Sequence, residues 1–302
     1  MKHSFKITLI ILGIFLLAQF IGLGIIYNYI DQEKSAETGK TEFKELPIGE
    51  RPPLEGTTSF IPIMIIVLVG TLILFFLIKH QLTIVWKVWF LLAVVISLTI
   101  AGSAFISKGT ALFIALVLGL WKVFRPNVWV HNLTELFIYG GLAAIFAPIF
   151  NLWSGIILLV LISGYDAYAV WKSKHMIKLA KSQAKARVFA GLFIPYKIEK
   201  IGSEIKDKAK KKTKKITSVK INSQKVRTAI LGGGDIGFPL IFAGVIMKEL
   251  GLWQSLVIPF GALLGLGILM WKGDKGKFYP AMPFISAGCF LALGLVWLVM
   301  LV

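Results

Sequence analysis

Long apolar runs separated by short polar stretches set the pattern of this chain. A run of roughly 18 or more mostly apolar residues is long enough to cross the ~30 Å hydrocarbon core of a bilayer as a helix. Such runs fall at about 5–30, 59–78, 88–107, 109–124, 133–150, 153–171, 228–247, 252–271 and 279–302. The fourth is short and the fifth is the least uniform. Two polar segments interrupt the series, 31–58 and 172–227. Within a bilayer only helices or closed barrels satisfy their own backbone, and runs of this length fit helices. The pattern therefore predicts an all-α polytopic membrane protein with about nine transmembrane helices. Residues 1–171 carry helices 1–6 and the loop 31–58, residues 172–227 form a basic loop, and residues 228–302 carry helices 7–9. The first run is longer than a signal-peptide h-region, and "IIYNYIDQEK" offers no small-residue cleavage site, so it reads as a retained anchor.

Composition agrees: 57% of residues are hydrophobic and 16% charged, against roughly half and a quarter in soluble domains. Cys289 is the only cysteine, so no intrachain disulfide is possible. The net charge of +18 changes the picture through its distribution. Residues 172–227 hold 18 of the 33 Lys and Arg, with "KDKAKKKTKK" at 206–215 the densest part. Counting only the short connections, one side of the membrane collects nine basic residues and the other six. With the long loop included the asymmetry is 27 to six. By the positive-inside rule the amino terminus and the 172–227 loop face the cytoplasm, and loop 31–58 and the carboxyl terminus lie outside. The lysine-rich run suits anionic lipid headgroups, at roughly 1 kcal/mol per basic residue near the surface. Nucleic acid is not an expected partner, because no aromatic-interleaved or folded binding module accompanies the charge. Segment 198–226, rich in lysine and poor in aromatics, has a composition that favours flexibility.

Of the fifteen acids, only Asp166 in "LISGYDAYAVWK" and Asp235 in "LGGGDIGFPL" fall well inside apolar spans, with Glu135 at the edge of the fifth. At 1.5 Å per residue Asp166 is about 9 Å and Asp235 about 12 Å from the same, cytoplasmic, side. The sixth and seventh spans run in opposite directions, so the two carboxylates can face one another. Intramembrane ionisable groups are functional by default and need a partner. Neither span holds a Lys, Arg or His at that depth, which leaves each aspartate as the other's partner. Two adjacent carboxylates share one proton. The ionised member can activate water as general base while the protonated member protonates a carbonyl oxygen, which is peptide hydrolysis. The same pair could instead clamp two helices, or serve as a relay in a cation or proton channel or transporter.

Two further features surround this pair. Gly232, Gly233 and Gly234 with Pro239 weaken helical order around Asp235, and exposed backbone there could pair with an unwound substrate. Irregular backbone at membrane depth requires surrounding protein or a water-filled cavity. The match of Gly232, Gly234 and Gly237 to G-x-G-x-x-G lacks the preceding strand and soluble βαβ unit of a dinucleotide site. In "KFYPAMPFISAG", Pro280 and Pro283 read as prolines at a helix start.

Tyr165-Asp166 in one span, Gly232-Gly233-Gly234-Asp235 in the next and Pro280-Ala281-Met282 at the last resemble the YD, GxGD and PAL motifs of the presenilin and signal peptide peptidase family. The chain looks most like its archaeal or microbial presenilin homologues, with the sequence likeness concentrated in 165–302. Met282 stands where the family usually has leucine, a swap of nearly equal volume. The resemblance implies a presenilin-like fold and an intramembrane aspartyl protease with Asp166 and Asp235 as catalytic pair. It further implies that Gly232 and Gly234 shape the backbone beside Asp235 and that Tyr165 packs beside Asp166. Pro280, Ala281 and Met282 would hold an extended substrate. Substrates would be transmembrane protein or peptide helices, with no obligatory partner subunit. No metal or cofactor is expected: "HNLTE" at 131–135 does not supply H-E-x-x-H. His3, His80, His131 and His175 lie near span ends, which disfavours a serine–histidine site.

The charge asymmetry makes a topology prediction. Tags at the amino terminus and near residue 205 should resist protease added outside intact cells, and a tag after Val302 should be cut. External cleavage of the 205 tag would reverse the orientation.

Overall fold

In the computed structural model the described residues are 5–51, 56, 58–125, 127–172, 189–197, 226–273 and 279–301. The main helices are α1 (Phe5–Asn28), α2 (Gln32–Thr38), α3 (Phe60–Lys79), α4 (Thr83–Ser103), α5 (Lys108–Phe124), α6 (Val128–Phe146), α7 (Leu152–Ala167), α8 (Gly233–Glu249), α9 (Ile258–Lys272) and α10 (Met282–Met300). Two antiparallel ribbons accompany them: β1 (Ile30–Asp31) with β2 (Glu42–Phe43), and β3 (Gly191–Lys197) with β4 (Val226–Gly232). Among the described residues seven segments are long and apolar enough to cross a membrane. The other two predicted crossings, α5 and α8, are apolar helices of 17 residues each. The protein is an integral membrane protein whose spans are helical.

Local chemistry explains the helix starts. Ser107, Asn127 and Asn151 each accept a hydrogen bond from the first turn of α5, α6 and α7, and Asn151 forms a reciprocal capping box with Ser154. The Asn127 cap starts α6 at Val128, five residues before the apolar run at 133 suggested. Pro148 follows in a 3₁₀ turn, Ala147–Ile149, which closes α6. The α4 helix likewise begins at Thr83 rather than 88 and carries Lys87 in its first turns; a lysine stem can lie along apolar surface while its charge reaches the interface.

The larger correction concerns the seventh span. Residues 228–232 are not helical. They belong to β4, which pairs with β3 from Gly191↔Gly232 to Lys197↔Val226. Thr228 and Ile230 are β-branched and favour extended backbone. Gly232 is the N-cap of α8, and Asp235 lies in its first turn rather than in mid-helix. The glycine run therefore marks a strand-to-helix junction. Pro195 is accommodated in β3 because each strand of a two-stranded ribbon has an outer edge that needs no ladder N–H.

Helix α1 packs against α6, α8 and α9; α4 against α5 and α6; and α7 against α8 and α10. The main core combines residues of α1, α6, α7, α8, α9 and α10, including Phe15, Phe150, Leu159, Ile236, Phe242 and Ile285, while α4 and α5 pack into smaller clusters with α6. Exposed apolar side chains crowd α3, α5 and α10, as expected of surfaces facing lipid tails. Beyond α1 the chain folds back over the helix ends. Arg51 donates to the carbonyls of Lys44 and Ala144, and its guanidinium lies 5.9 Å from the Tyr29 ring and 5.7 Å from the Phe43 ring. Thr41 donates to the carbonyl of Lys248 at the end of α8. Tyr29 is buried, and its hydroxyl donates to the Ile100 carbonyl at 2.8 Å.

Helices α9 and α10 meet at backbone contact. A Cβ at Gly265 would come 2.1 Å from the carbonyl oxygen of Phe284, and one at Gly288 would come 2.0 Å from that of Gly261. Small residues let membrane helices approach to backbone contact, and dispersion then holds them. Gly265→Val should therefore separate the two helices and cost about 3 kcal/mol or more, read as a lower melting temperature in detergent. Gly294→Ala on the same helix pair, where a Cβ meets nothing within 4 Å, should stay within about 0.5 kcal/mol of wild type. Equal melting temperatures for the two variants would contradict the contact.

Candidate active site

The motif-bearing elements converge. Asp166 sits in the last turn of α7, immediately before a π-helical turn, Tyr168–Lys172. Its side chain is buried, and Oδ2 accepts the backbone N–H of Met282 at 3.1 Å. Met282 is the first residue of α10, so its N–H is one of the donors a helix start leaves without an intrahelical acceptor. Pro283 follows in the first turn, where a missing N–H is harmless. The Pro280–Met282 segment thus meets Asp166 through backbone rather than side-chain groups. One helical turn earlier, Ser163 donates to Ser286 at 2.8 Å and ties α7 to α10 a second time. The Tyr165 hydroxyl reaches Thr71 of α3 at 3.5 Å, a long hydrogen bond.

Asp235 occupies the N-terminal turn of α8, where acidic residues are favoured by the helix dipole. Its carboxylate folds back toward the N-cap, 3.2 Å from where a Cβ at Gly232 would stand. A side chain at Gly232 would press on that carboxylate. At Gly233 the constraint comes from α6, since a Cβ there would lie 2.7 Å from the Tyr139 hydroxyl oxygen. Gly234 is more open, with the Phe238 ring 3.4 Å from a Cβ position. Pro239 inside α8 has no N–H for the carbonyl of residue 235, which loosens the first turn.

The ribbon before α8 is held from α6 through β3. Asn132 donates through Nδ2 to the Phe193 carbonyl at 2.6 Å and accepts the Phe193 N–H at 2.9 Å, as a neighbouring strand would. His131 Nε2 lies 2.7 Å from the Gly191 carbonyl oxygen, and the N–H of Gly233 donates to Ala190. Helix α6 therefore covers the outer edge of β3.

The structure brings Asp166 together with Met282, and Asp235 together with Gly232. Helix α7 packs against both α8 and α10. Sequence reasoning missed a polar group behind Asp235. Lys122, counted above among loop cations, is buried on α5 and forms a 2.5 Å ion pair with Glu135 of α6. Tyr139 donates to the other oxygen of the same carboxylate. The signal was present: His131, Glu135 and Tyr139 are spaced i, i+4, i+8, one face of a single helix. Among the described residues no group of His, Cys, Asp and Glu is arranged to hold a metal.

Comparison with known proteins accords with this geometry. The solved structure of a presenilin family intramembrane aspartate protease in space group C222 is 17% identical, covers 97% of this chain and 99% of its own, and superimposes with a TM-score of 0.62. A second such structure, in space group P2, is 18% identical over 99% of both chains, with a TM-score of 0.57. At this identity the likeness speaks to the fold. No curated protein matches the chain. The sequence profile described as signal-peptide peptidase, presenilin aspartyl protease matches residues 48–301. The match spans five-sixths of the chain, every predicted crossing but the first, and all three motifs; this protein belongs to the signal-peptide peptidase and presenilin aspartyl protease family.

Proposed function

We propose that this protein is an intramembrane aspartic endopeptidase that cleaves transmembrane-helix substrates with Asp166 and Asp235 as its catalytic pair. The observation that carries the reading is the bond from Met282 N–H to the Asp166 carboxylate, made where α7 packs against both α8 and α10. It joins two of the three motifs through backbone, and the helix carrying the third packs alongside. A relay for ions would need the carboxylates but gives no reason for a helix start to be bonded to one of them.

In this mechanism one aspartate, ionised, takes a proton from water as the oxygen attacks the scissile carbonyl. The other, protonated, donates to the carbonyl oxygen; the first then passes the proton it took from water to the leaving amine as the C–N bond breaks, and a hydroxyl of the gem-diol returns its proton to the second as the new carboxyl forms. The pair exchanges roles over the cycle, so no cofactor is required. A substrate helix must first be unwound, because the carbonyls of an intact helix are engaged. The β3–β4 ribbon suits that step. Its β3 edge is covered by α6, while β4 keeps its other edge clear of any strand among the described residues and runs straight into Asp235. An extended peptide can add to such an edge. Substrates enter from the bilayer, with the amino terminus and the 172–227 loop on the cytoplasmic side, the basic loop against anionic headgroups, and no partner subunit needed.

The test uses purified protein and a labelled membrane-helix peptide. Wild type should cleave with a bell-shaped pH dependence between about pH 4 and about 9, because only the singly protonated pair is active. The limbs belong to the pair and not to either residue. Asp166→Asn and Asp235→Asn should each lower turnover at least about 100-fold while leaving the protein folded, since a neutral amide of similar size replaces each carboxyl. Substantial turnover by either variant would remove the two-aspartate mechanism.

A further inference from the structure

The buried pair of Lys122 and Glu135 plays no part in the mechanism above, yet both side chains are only 1% exposed. Two charges in the interior of a membrane protein are costly, and a well-packed apolar pair would often be as stable. Their bonding is directional. Lys122 Nζ meets Glu135 Oε1 at 2.5 Å, Thr134 Oγ1 at 2.9 Å and the His131 carbonyl at 3.4 Å. Glu135 Oε2 accepts the Tyr139 hydroxyl. The phenol has a single proton, and that proton is committed to Glu135. What the phenol oxygen has left are lone pairs, and it sits against Gly233, beside Asp235, with its ring against Gly237. Asp235 is in electrostatic contact with this tyrosine.

The charged and titratable groups around Tyr139 are few. From α6 itself come Glu135 and His131, whose Nε2 is 3.8 Å from Glu135 and is turned to the Gly191 carbonyl of β3. From α5 comes Lys122, and from α8 Asp235. Helix α4 contributes the Phe90 ring, 6.0 Å from Lys122 Nζ, and α1 contributes Gln19, which donates to the Ile236 carbonyl of α8 at 2.9 Å.

We infer that Lys122, Glu135 and Tyr139 form a chain of positioning residues for Asp235. The ion pair orients the Tyr139 hydroxyl, and the hydroxyl in turn presents a fixed acceptor to the Asp235 carboxyl in its protonated form. The inference rests on the protease reading and adds to it a role for α5 and α6. Tyr139 touches neither the substrate nor the attacking water in this scheme. It sets the rotamer of the group that does, and holds the first turn of α8 against α6.

The experiment compares wild type, Tyr139→Phe and the double variant Lys122→Met with Glu135→Leu, using the labelled helix peptide. Tyr139→Phe keeps the ring and removes the hydroxyl. It should lower kcat roughly ten- to a hundredfold, leave KM within about twofold, and move the alkaline limb of the pH–rate profile, on which the shared proton is lost. The double variant removes both buried charges together, so no unpaired ion threatens the fold. It should reproduce the Tyr139→Phe phenotype, because the phenol loses its anchor. A wild-type kcat and pH profile in Tyr139→Phe would overturn the inference and leave the protease intact. So would a fall in kcat with an unmoved pH profile, the mark of a merely structural tyrosine. Absence of cleavage by wild type would instead remove the proposed function, and this inference with it.

Discussion

A helix that begins inside a membrane protein exposes backbone N–H groups that no water of the bilayer core can satisfy, and this requirement organises the architecture around α10. The N–H of Met282 is such a donor, and the Asp166 carboxylate answers it at 3.1 Å. Because Asp166 lies at the end of α7, the bond fixes the depth of α10 relative to α7, and the Ser163–Ser286 bond a turn away fixes their rotation. On its other face α10 meets α9 at backbone contact through Gly261, Gly265 and Gly288. An acidic side chain that would be costly in isolation is thus built into the packing of two helices.

The same economy appears on the opposite side of α8. Lys122 and Glu135 satisfy each other inside the bundle, with Thr134, the His131 carbonyl and Tyr139 completing their bonds. This set crosses from α5 to α6 and ends with the Tyr139 hydroxyl against Gly233, where α8 begins. The apolar residues of α3 and α5 form the lipid-facing surface, and the small residues permit close approach.

Much of this was legible in the sequence, for physical reasons that differ from residue to residue. Asp166 and Asp235 stood out because an acid in an apolar run has few bland explanations, and the crossings were legible because a bilayer imposes a minimum length. The strand at 226–232 was hidden because "TAIL" is as apolar as a helix segment, and periodicity cannot separate the two over so short a run. Its partner β3 lay inside a stretch whose overall basic charge obscured a seven-residue strand, GLFIPYK, that is apolar up to its final lysine. Lys122 was read as a boundary cation because a lysine at the end of an apolar run usually is one. Only the fold shows that α6 brings Glu135 to it. The role of Pro280–Met282 was visible as a helix start, but the carboxylate that answers its N–H comes from 116 residues away in sequence.

The clamp of Asn132 on Phe193 has a mechanical consequence. It pins the register of β3, β3 pins β4 by its ladder, and β4 passes into α8 without an intervening loop. A slip of one residue along that ribbon would carry Asp235 about 3.3 Å and turn alternate side chains to the opposite face. Held as it is, the ribbon isolates the aspartate from the segment between 197 and 226. The place of the carboxylate is thus set by a seven-residue ladder rather than by the chain between 197 and 226.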